Sequence, residues 1–305
     1  MKESKGSVLI ISLILMSVAT LLSLFIIKVS KDIVSSSQLL MEKLEAKIKA
    51  ESEIERFKYF ASTSWFDRYK IVNINSVKDY PKDILLTGSK VKLSNGNELY
   101  ITDTSSKINL FIVDESIIGR LLRIVIKDEK KLPVIKDSFL DWIDRDKLIR
   151  LYGAEDDYYK NEIGARYTPR NNNFMQSIEE LLDIRGIDND TYEKIKKVFT
   201  FSYGSWGTNA YLVSPELLKV IAPDIKEETA ETLEYLRKKG KFKRFDQLTG
   251  ELFKGEGSGI YSTELSKVVN LKVVSKVGNA VEKIYCIIDF KPKDDYPFVV
   301  YKYKE

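Results

Sequence analysis

The chain contains no histidine and a single cysteine. Without imidazole it lacks the most common general base, the Ser-His and Cys-His nucleophile pairs, and every histidine metal site. One cysteine forms no internal disulfide, and Cys286 lies in the apolar run 284–288, so we interpret it as a small buried hydrophobic residue. The sequence therefore offers no catalytic residue, and we predict a protein that binds partners and is not an enzyme.

A strong charge of either sign is also missing. Lys and Arg total 49, Asp and Glu total 45, and the formal net charge is +4. Because the two signs are mixed along the chain, they indicate a solvated surface and no large field that would attract a polyanion. We expect protein partners and no nucleic acid.

Glycine and proline are absent from residues 7–80, so nothing there interrupts a helix. Residues 7–27 carry no ionisable side chain, and 21 residues at about 1.5 Å each cross the roughly 30 Å hydrocarbon layer of a membrane. From residue 28 to 62 the helix is amphipathic, with apolar residues at helical spacing: Ile33, Leu40, Leu44, Ile48 and Phe57. We predict a transmembrane segment at 7–27 whose amphipathic continuation packs against helices of partner subunits through Ile33, Leu40, Leu44 and Ile48.

The first residues fit three kinds of segment. A secretory signal peptide requires a shorter apolar core and a small-residue cleavage site, whereas a plain membrane anchor requires the apolar run alone. Gly6 and Ser7, directly before the apolar run, resemble the class III leader of type IV pilins and of the pseudopilins of type II secretion. That resemblance implies a leader at 1–6, cleavage between Gly6 and Ser7 by a prepilin peptidase, and methylation of the new N-terminus.

Ile11 departs from the pattern of those families. Pilin-like proteins usually carry a glutamate at the fifth residue after the cut, and this chain has Ile11 there. A carboxylate buried without its partner charge is costly. An apolar residue is therefore expected in a subunit with no neighbour above it, at the tip of a filament.

Strand and helix signals alternate beyond the long helix. Residues 90–93 and 98–103 flank Asn95-Gly96, a dipeptide that favours a type I′ hairpin turn. Residues 268–277, 281–289 and 298–303 are rich in Val, Ile and Tyr and predict three antiparallel strands that close onto that hairpin and onto the helix. Residues 177–198 and 215–248 each predict a helix, a tight turn and a helix, the first with a capping box formed by Ser177 and Glu180.

Together these elements predict an α+β, pilin-like fold. A long N-terminal transmembrane and amphipathic helix packs on an antiparallel sheet, and a large α-helical domain of helical hairpins, SAM-like in organisation, is inserted. We place the pilin-like part at 63–108 and 251–305 and the inserted domain at 109–250.

A dense polar motif occupies residues 137–159. It reads Asp-Ser-Phe-Leu-Asp-Trp-Ile-Asp-Arg-Asp from Asp137 to Asp146, followed by Arg150 and by Gly-Ala-Glu-Asp-Asp-Tyr-Tyr from Gly153 to Tyr159. This pattern resembles protein K of the type II secretion system, the large minor pseudopilin. The loop 167–171 and the segments 177–187 and 208–218 resemble the same family in the same order.

The resemblance implies a function and a location. The expected function is that of a minor pseudopilin at the tip of the pseudopilus, which initiates or caps the filament with the I, J and H minor pseudopilins and the major pseudopilin for export across the outer membrane. The expected location is the inner membrane, crossed once, with the globular part in the periplasm. Two alternatives stay open: a membrane-anchored helix-hairpin-helix protein that handles DNA, which the basic stretch 238–245 would suit, and the equivalent minor pilin of a type IV pilus.

The carboxylates of the polar motif are candidates for a calcium site. They supply the hard oxygen ligands that calcium prefers, and the family is associated with calcium in this region. The spacing does not match an EF-hand, and the alternative is that the carboxylates cap helix ends or are solvated. Calcium is therefore the single candidate cofactor, with these predicted ligands: Asp141, Asp144, Asp146, Glu155 and Asp157.

Overall fold

The structure is a computed structural model that describes residues 4–110, 114–164, 169, 175, 177–200, 207–252, 261–291 and 296–304. Most of the predicted loop at 167–171 lies outside the described residues. The helices in chain order are α1 (Ser4–Ser62), α2 (Glu115–Val125), α3 (Lys131–Ile143), α4 (Asn189–Val198), α5 (Pro215–Ile221), α6 (Glu227–Lys238) and α7 (Phe242–Leu252). The strands are β1 (Trp65–Asp67), β2 (Lys70–Val72), β3 (Asp83–Leu85), β4 (Thr87–Lys92), β5 (Glu98–Asp103), β6 (Ile108–Asn109), β7 (Phe199–Thr200), β8 (Thr208–Asn209), β9 (Tyr261–Ser262), β10 (Val268–Val277), β11 (Ala280–Asp289) and β12 (Val299–Lys304).

The predicted continuous helix is confirmed, since α1 runs unbroken for 59 residues. One face of its second half is buried: Ala46, Ala50 and Phe57 are 0% exposed and Ile54 is 1% exposed. The two alanines let the helix backbone approach its neighbour, and the larger side chains fill the space between. Full burial of a side chain such as Phe57 contributes about 1.5–3 kcal/mol.

That face packs on an antiparallel sheet of five strands in the order β12-β11-β10-β5-β4, and α1 contacts β10 and β11. The closing strands therefore pair with the first hairpin, as predicted, with Val273 opposite both Leu99 and Ile284. Alternate residues point towards α1, and Cys286 is among them, buried as expected. Burial raises the pKa of its thiol to about 12, so the thiol is protonated and inert near neutral pH.

Helices α2 to α7, which lie between β5 and β10 in the sequence, pack into a second hydrophobic cluster. Within it α2 contacts α3, α4 and α5, while α6 lies between α5 and α7. Asp114, Asp188 and Ser214 begin α2, α4 and α5 by accepting hydrogen bonds from backbone amides of the first turn. The predicted domain boundaries at 63–108, 109–250 and 251–305 stay a prediction.

A buried aspartate joins the place where the chain leaves the sheet to the place where it returns. Asp103 is 0% exposed. Its carboxylate accepts hydrogen bonds from Ser105 N at 2.9 Å, from Ser266 N at 3.1 Å, from Ser266 Oγ at 2.6 Å and from Lys267 N at 2.9 Å. These donors belong to the segment that follows β5 and to the segment that precedes β10. One side chain therefore ties both ends of the inserted helical region to the sheet.

The predicted type I′ turn at Asn95-Gly96 is wrong. Gly96 has a φ of +87° but Asn95 does not have a positive φ, whereas a type I′ turn needs both. Leu93 and Asn97 close a three-residue loop, with Gly96 N donating to Leu93 O at 3.1 Å. The physical reason is a competing partner, because Asn95 Nδ2 donates to the buried carboxylate of Glu53 on α1 at 2.6 Å.

Two predictions about the inserted helices are also wrong. Residues 178–183 form a 3₁₀ helix, and Ser177 makes no side-chain cap, so the capping box with Glu180 does not form. Residues 215–248 form parts of three helices, because Gly240, with a φ of +66°, ends the second one. The sequence therefore predicts that these segments are helical, but it predicts neither the 3₁₀ form of the first helix nor the number of helices in the second segment.

We predict that Asp103→Ala lowers the free energy of unfolding by at least about 3 kcal/mol, because several buried donors lose their acceptor together. Urea unfolding of the full chain in neutral detergent, followed by tryptophan fluorescence, measures this. Asp224→Ala is the matched control, since Asp224 is exposed, and it should change stability by less than about 0.5 kcal/mol. Equal stability of the two variants would contradict the role given to Asp103.

Candidate functional site

The first half of α1 has the properties of a membrane span. In the part of the chain that the structure describes, it is the one helix long and apolar enough to cross a membrane. Its hydroxyl groups are satisfied within the helix: Ser12, Ser17, Thr20 and Ser23 each donate to a backbone carbonyl three or four residues earlier at 2.8–2.9 Å. A segment that satisfies its polar groups internally suits a hydrocarbon environment, where no water replaces the missing partners.

The residues of the predicted cleavage site lie on this helix. Ser4 to Gly6 continue it without a break, Ser7 is exposed, and Ile11 is 56% exposed on the apolar surface. The structure thus places an apolar side chain where the pilin pattern has a carboxylate. Cleavage between Gly6 and Ser7 stays a prediction.

The second half of α1 has a second apolar stripe that no described residue covers. Ile33 is 60%, Leu40 59%, Leu44 49% and Ile48 61% exposed. At about 100° per residue, Ile48 lies about 180° around the helix from Phe57. Phe57 therefore belongs to the face that packs on the sheet, and the predicted five-residue pattern combined two separate faces.

Glu42 marks the point at which the sheet ends along α1. Asn279 N, in the turn between β10 and β11, donates to Glu42 Oε2 at 2.9 Å, and this hydrogen bond lowers the pKa of Glu42. Gly278 has a φ of +53°, and a Cβ there would lie 2.4 Å from the Glu42 carboxyl carbon. Residues 7–41 lie beyond this contact and are exposed over their whole circumference. The helix therefore leaves the globular part at Glu42.

The polar motif forms an ion-pair cluster around one arginine. Asp141, 0% exposed near the end of α3, accepts from Arg150 Nη1 at 2.7 Å and from Arg150 N at 3.2 Å. Asp144 accepts from the same Nη1. Burial opposes the charge on Arg150, but its hydrogen bonds to Asp144 and Asp141 outweigh this and raise the pKa of the guanidinium.

The five predicted calcium ligands do not converge in this structure. Asp146 is exposed and accepts from Leu148 N at 2.8 Å, Asp157 is exposed, and Glu155 is buried. Within the described ranges no group of three or more acidic side chains is arranged to hold a metal ion. Calcium binding stays a prediction, and binding through Asp141 and Asp144 requires Arg150 to withdraw.

The rest of the motif builds a scaffold around this ion pair. The ring of Trp142 stands edge-on to Tyr159 at 5.0 Å, and Tyr159 Oη accepts from Arg185 N at 3.1 Å. Arg185 Nη1 donates to Gly153 O at 3.0 Å. These contacts fix the loop between α3 and Gly153, whose tip exposes apolar side chains such as Leu148. The contacts of this scaffold are structural.

Sequence reasoning missed the roles of Arg150 and Arg185. Both arginines occur in the motifs, but the pairing of an arginine with two aspartates leaves no periodic pattern in the sequence. Opposite charges within about ten residues of a helix end were the available clue.

One of the two hairpin turns that a DNA-binding protein would use, the turn that ends in Asp188, is occupied by protein groups. Asp188 accepts from Thr191 N at 2.8 Å at the start of α4 and pairs with Lys131 at 3.0 Å. Its carboxylate thus takes the position that a phosphate would need. The basic stretch lies elsewhere, in the turn between α6 and α7.

Comparison with known proteins gives two findings. Residues 95–201 match the model of the family described as type II secretion system (T2SS), protein K. The fold is similar to a chain of the crystal structure of the GspK–GspI–GspJ complex from the enterotoxigenic Escherichia coli type 2 secretion system, with a TM-score of 0.53 and 13% identity over 89% of this chain and 98% of that chain. No curated protein matches the sequence. The predicted resemblance to protein K and the predicted fold class are confirmed.

We predict that Gly153→Ala lowers the free energy of unfolding by about 2–4 kcal/mol. A Cβ there would lie 1.8 Å from Asp141 Oδ2 and would force the carboxylate away from Arg150. Gly250→Ala is the control, because a Cβ in that helical position meets nothing within 4 Å and should be neutral or stabilise the helix by up to about 1 kcal/mol. Thermal unfolding in detergent compares them, and equal losses would refute the close packing of Gly153 on Asp141.

The calcium prediction has a direct test in Arg150→Gln. If Asp141 and Asp144 bind calcium, removing the competing guanidinium should tighten binding severalfold, as measured by calorimetry on the full chain. Arg123→Gln, which removes an exposed arginine elsewhere, should leave calcium affinity unchanged. Absence of calcium binding in all three proteins would show that the prediction is wrong.

Proposed function

We propose that the protein is a minor pseudopilin of the type II secretion system that lies at the tip of the pseudopilus and initiates or caps the filament for export across the outer membrane. The observation that carries the proposal is the stripe of exposed apolar residues opposite the buried face of α1. A helix with a membrane span at one end and two apolar faces at the other is suited to join its own domain to neighbouring subunits. The match to protein K over residues 95–201 supports the same function.

The stripe is large enough to matter energetically. Its four aliphatic side chains are each about half exposed, so covering them contributes about 1 kcal/mol each, on the order of 4 kcal/mol in total before the cost of association. A further apolar contact along residues 7–27 adds to this inside the membrane. Helix-to-helix packing in a bundle is the geometry that buries such a stripe.

The partners are proposed by analogy with the similar structure. That structure contains GspK together with GspI and GspJ. We propose that the stripe of this chain contacts minor pseudopilins of the I and J types, with the H type and the major pseudopilin following below.

The position at the tip rests on two features of the chain. Ile11 provides no carboxylate for the terminal amine of a subunit above it. The inserted helices form a second hydrophobic cluster beside the sheet, and such a bulky head is hard to repeat along a closely packed filament but fits at its end. Anchoring in the inner membrane with the globular part in the periplasm follows from the same proposal.

We predict that Leu44→Asp or Ile48→Asp lowers co-purification with coexpressed I- and J-type minor pseudopilins by at least about tenfold, because an aspartate in an apolar helix contact costs more than about 1.4 kcal/mol. Val281→Asp is the matched control, since Val281 is 48% exposed and lies on β11, away from α1's stripe. Unchanged co-purification of the Leu44 and Ile48 variants would refute the proposed interface.

Processing of the N-terminus is a second test. Coexpression with a prepilin peptidase should give a chain that begins at Ser7, and Gly6→Ala should keep Met1, as read by intact mass. An N-terminus that is unchanged by the peptidase would contradict the pseudopilin leader, although not the interface on α1.

A further inference from the structure

A shallow, open cavity of about 470 Å³ lies where the two hydrophobic clusters meet at Tyr69. One wall is Arg68, in the turn between β1 and β2, and the other is the segment from Gly240 to Arg244, which joins α6 to α7. Gln247 completes the lining. The residues that surround the cavity therefore include four cationic side chains and no carboxylate.

Three of these four cations lack the acidic partner that some other surface lysines have. Lysines such as Lys131, Lys194 and Lys219 pair with a carboxylate at 2.5–3.0 Å. Within the described residues no carboxylate lies within ion-pair distance of Lys241, Lys243 or Arg244, and Arg68 reaches Asp67 at only 3.6 Å. Asp246 on α7 is engaged by the hydroxyl of Tyr211 instead. Lys241, Lys243 and Arg244 therefore keep their charge without an acidic partner among the described residues.

The backbone holds Arg68 towards this cavity. Arg68 has a φ of +41°, a left-handed conformation that is unfavourable for a residue with a Cβ. Its carbonyl accepts from Asn209 Nδ2 at 2.7 Å, and Asn209 is 0% exposed, so the buried amide fixes the turn. The guanidinium then lies 5.4 Å from the centre of the Phe242 ring.

Phe242 connects the cavity to the core. Its ring packs on Tyr69 at 5.3 Å and on Tyr211 at 5.7 Å, which places the first turn of α7 against the β1–β2 turn. The cationic residues next to Phe242 are therefore presented on a rigid base, and both clusters contribute to the same site.

We infer that this cavity binds an acidic segment of a partner protein, with two or three side-chain carboxylates close together. The planar guanidinium groups of Arg68 and Arg244 suit bidentate contacts to carboxylates, and the lysines add point charges. A cavity of this size admits a few side chains of such a segment. The inference is independent of the filament function, because the cavity lies away from the stripe on α1.

The test uses the full chain in neutral maltoside micelles and fluorescein-labelled hexaglutamate, with hexaglutamine as the uncharged probe. Fluorescence anisotropy should show saturable binding of hexaglutamate that is at least about tenfold tighter than that of hexaglutamine and that weakens as salt rises. The double variant Lys243→Gln/Arg244→Gln should weaken binding by about tenfold or more. Thermal unfolding confirms that the variant is folded.

The control removes the same charge from another surface. Lys276→Gln/Lys283→Gln changes two exposed lysines of β10 and β11 and should leave hexaglutamate affinity unchanged. Equal weakening in both double variants, or no saturable binding in the unmodified chain, would overturn the inference. Tighter binding of a duplex DNA probe at the same salt, lost in the Lys243/Arg244 variant, would overturn it in favour of a nucleic acid ligand.

Discussion

The packing of α1 residues 46–61 on β10 and β11 is the interaction on which the rest of the structure depends. It joins the sheet to a helix whose first half is long and apolar enough to cross a membrane, and the sheet combines strands from distant parts of the chain. Glu53 reinforces it from within, because its buried carboxylate accepts hydrogen bonds from Tyr80 Oη at 2.6 Å, Asn95 Nδ2 at 2.6 Å and Asn97 Nδ2 at 3.1 Å. Since the sheet covers one side only, the opposite side stays exposed.

Some charged residues form contacts that stabilise the fold, and others do not. Asp103 ties the inserted helices to the sheet, and Asp141, Asp144 and Arg150 fix the loop after α3. The polar motif by which the family resemblance is identified is thus chiefly a structural device. By contrast, Lys241, Lys243 and Arg244 line an open site and pair with no carboxylate of the described residues.

The sequence predicts elements that have a strong period and misses those fixed by distant contacts. The run without glycine or proline predicts α1, and the β-branched alternation of residues 268–289 predicts β10 and β11 almost to the residue. Strands β1, β2 and β3 have three residues each, too few for a period. The conformation around Asn95 depends on its contact with Glu53. The basic cavity depends on the fold that brings Arg68 close to Lys241. Both contacts join residues that are far apart in the sequence, so the local sequence does not predict them. For the same reason, helical spacing alone places Phe57, which belongs to the buried face of α1, in one pattern with the residues of the exposed stripe.

Amide hydrogen exchange along α1 tests the central claim that one side of the helix serves its own sheet and the other side serves partner subunits. The full chain is measured in detergent, alone and in complex with coexpressed I- and J-type minor pseudopilins. The account predicts slow exchange of residues 46–61 in both samples, and exchange of residues 33–44 that is fast alone and slow in the complex. Slow exchange of residues 33–44 in the isolated chain, or no change on complex formation, would contradict it.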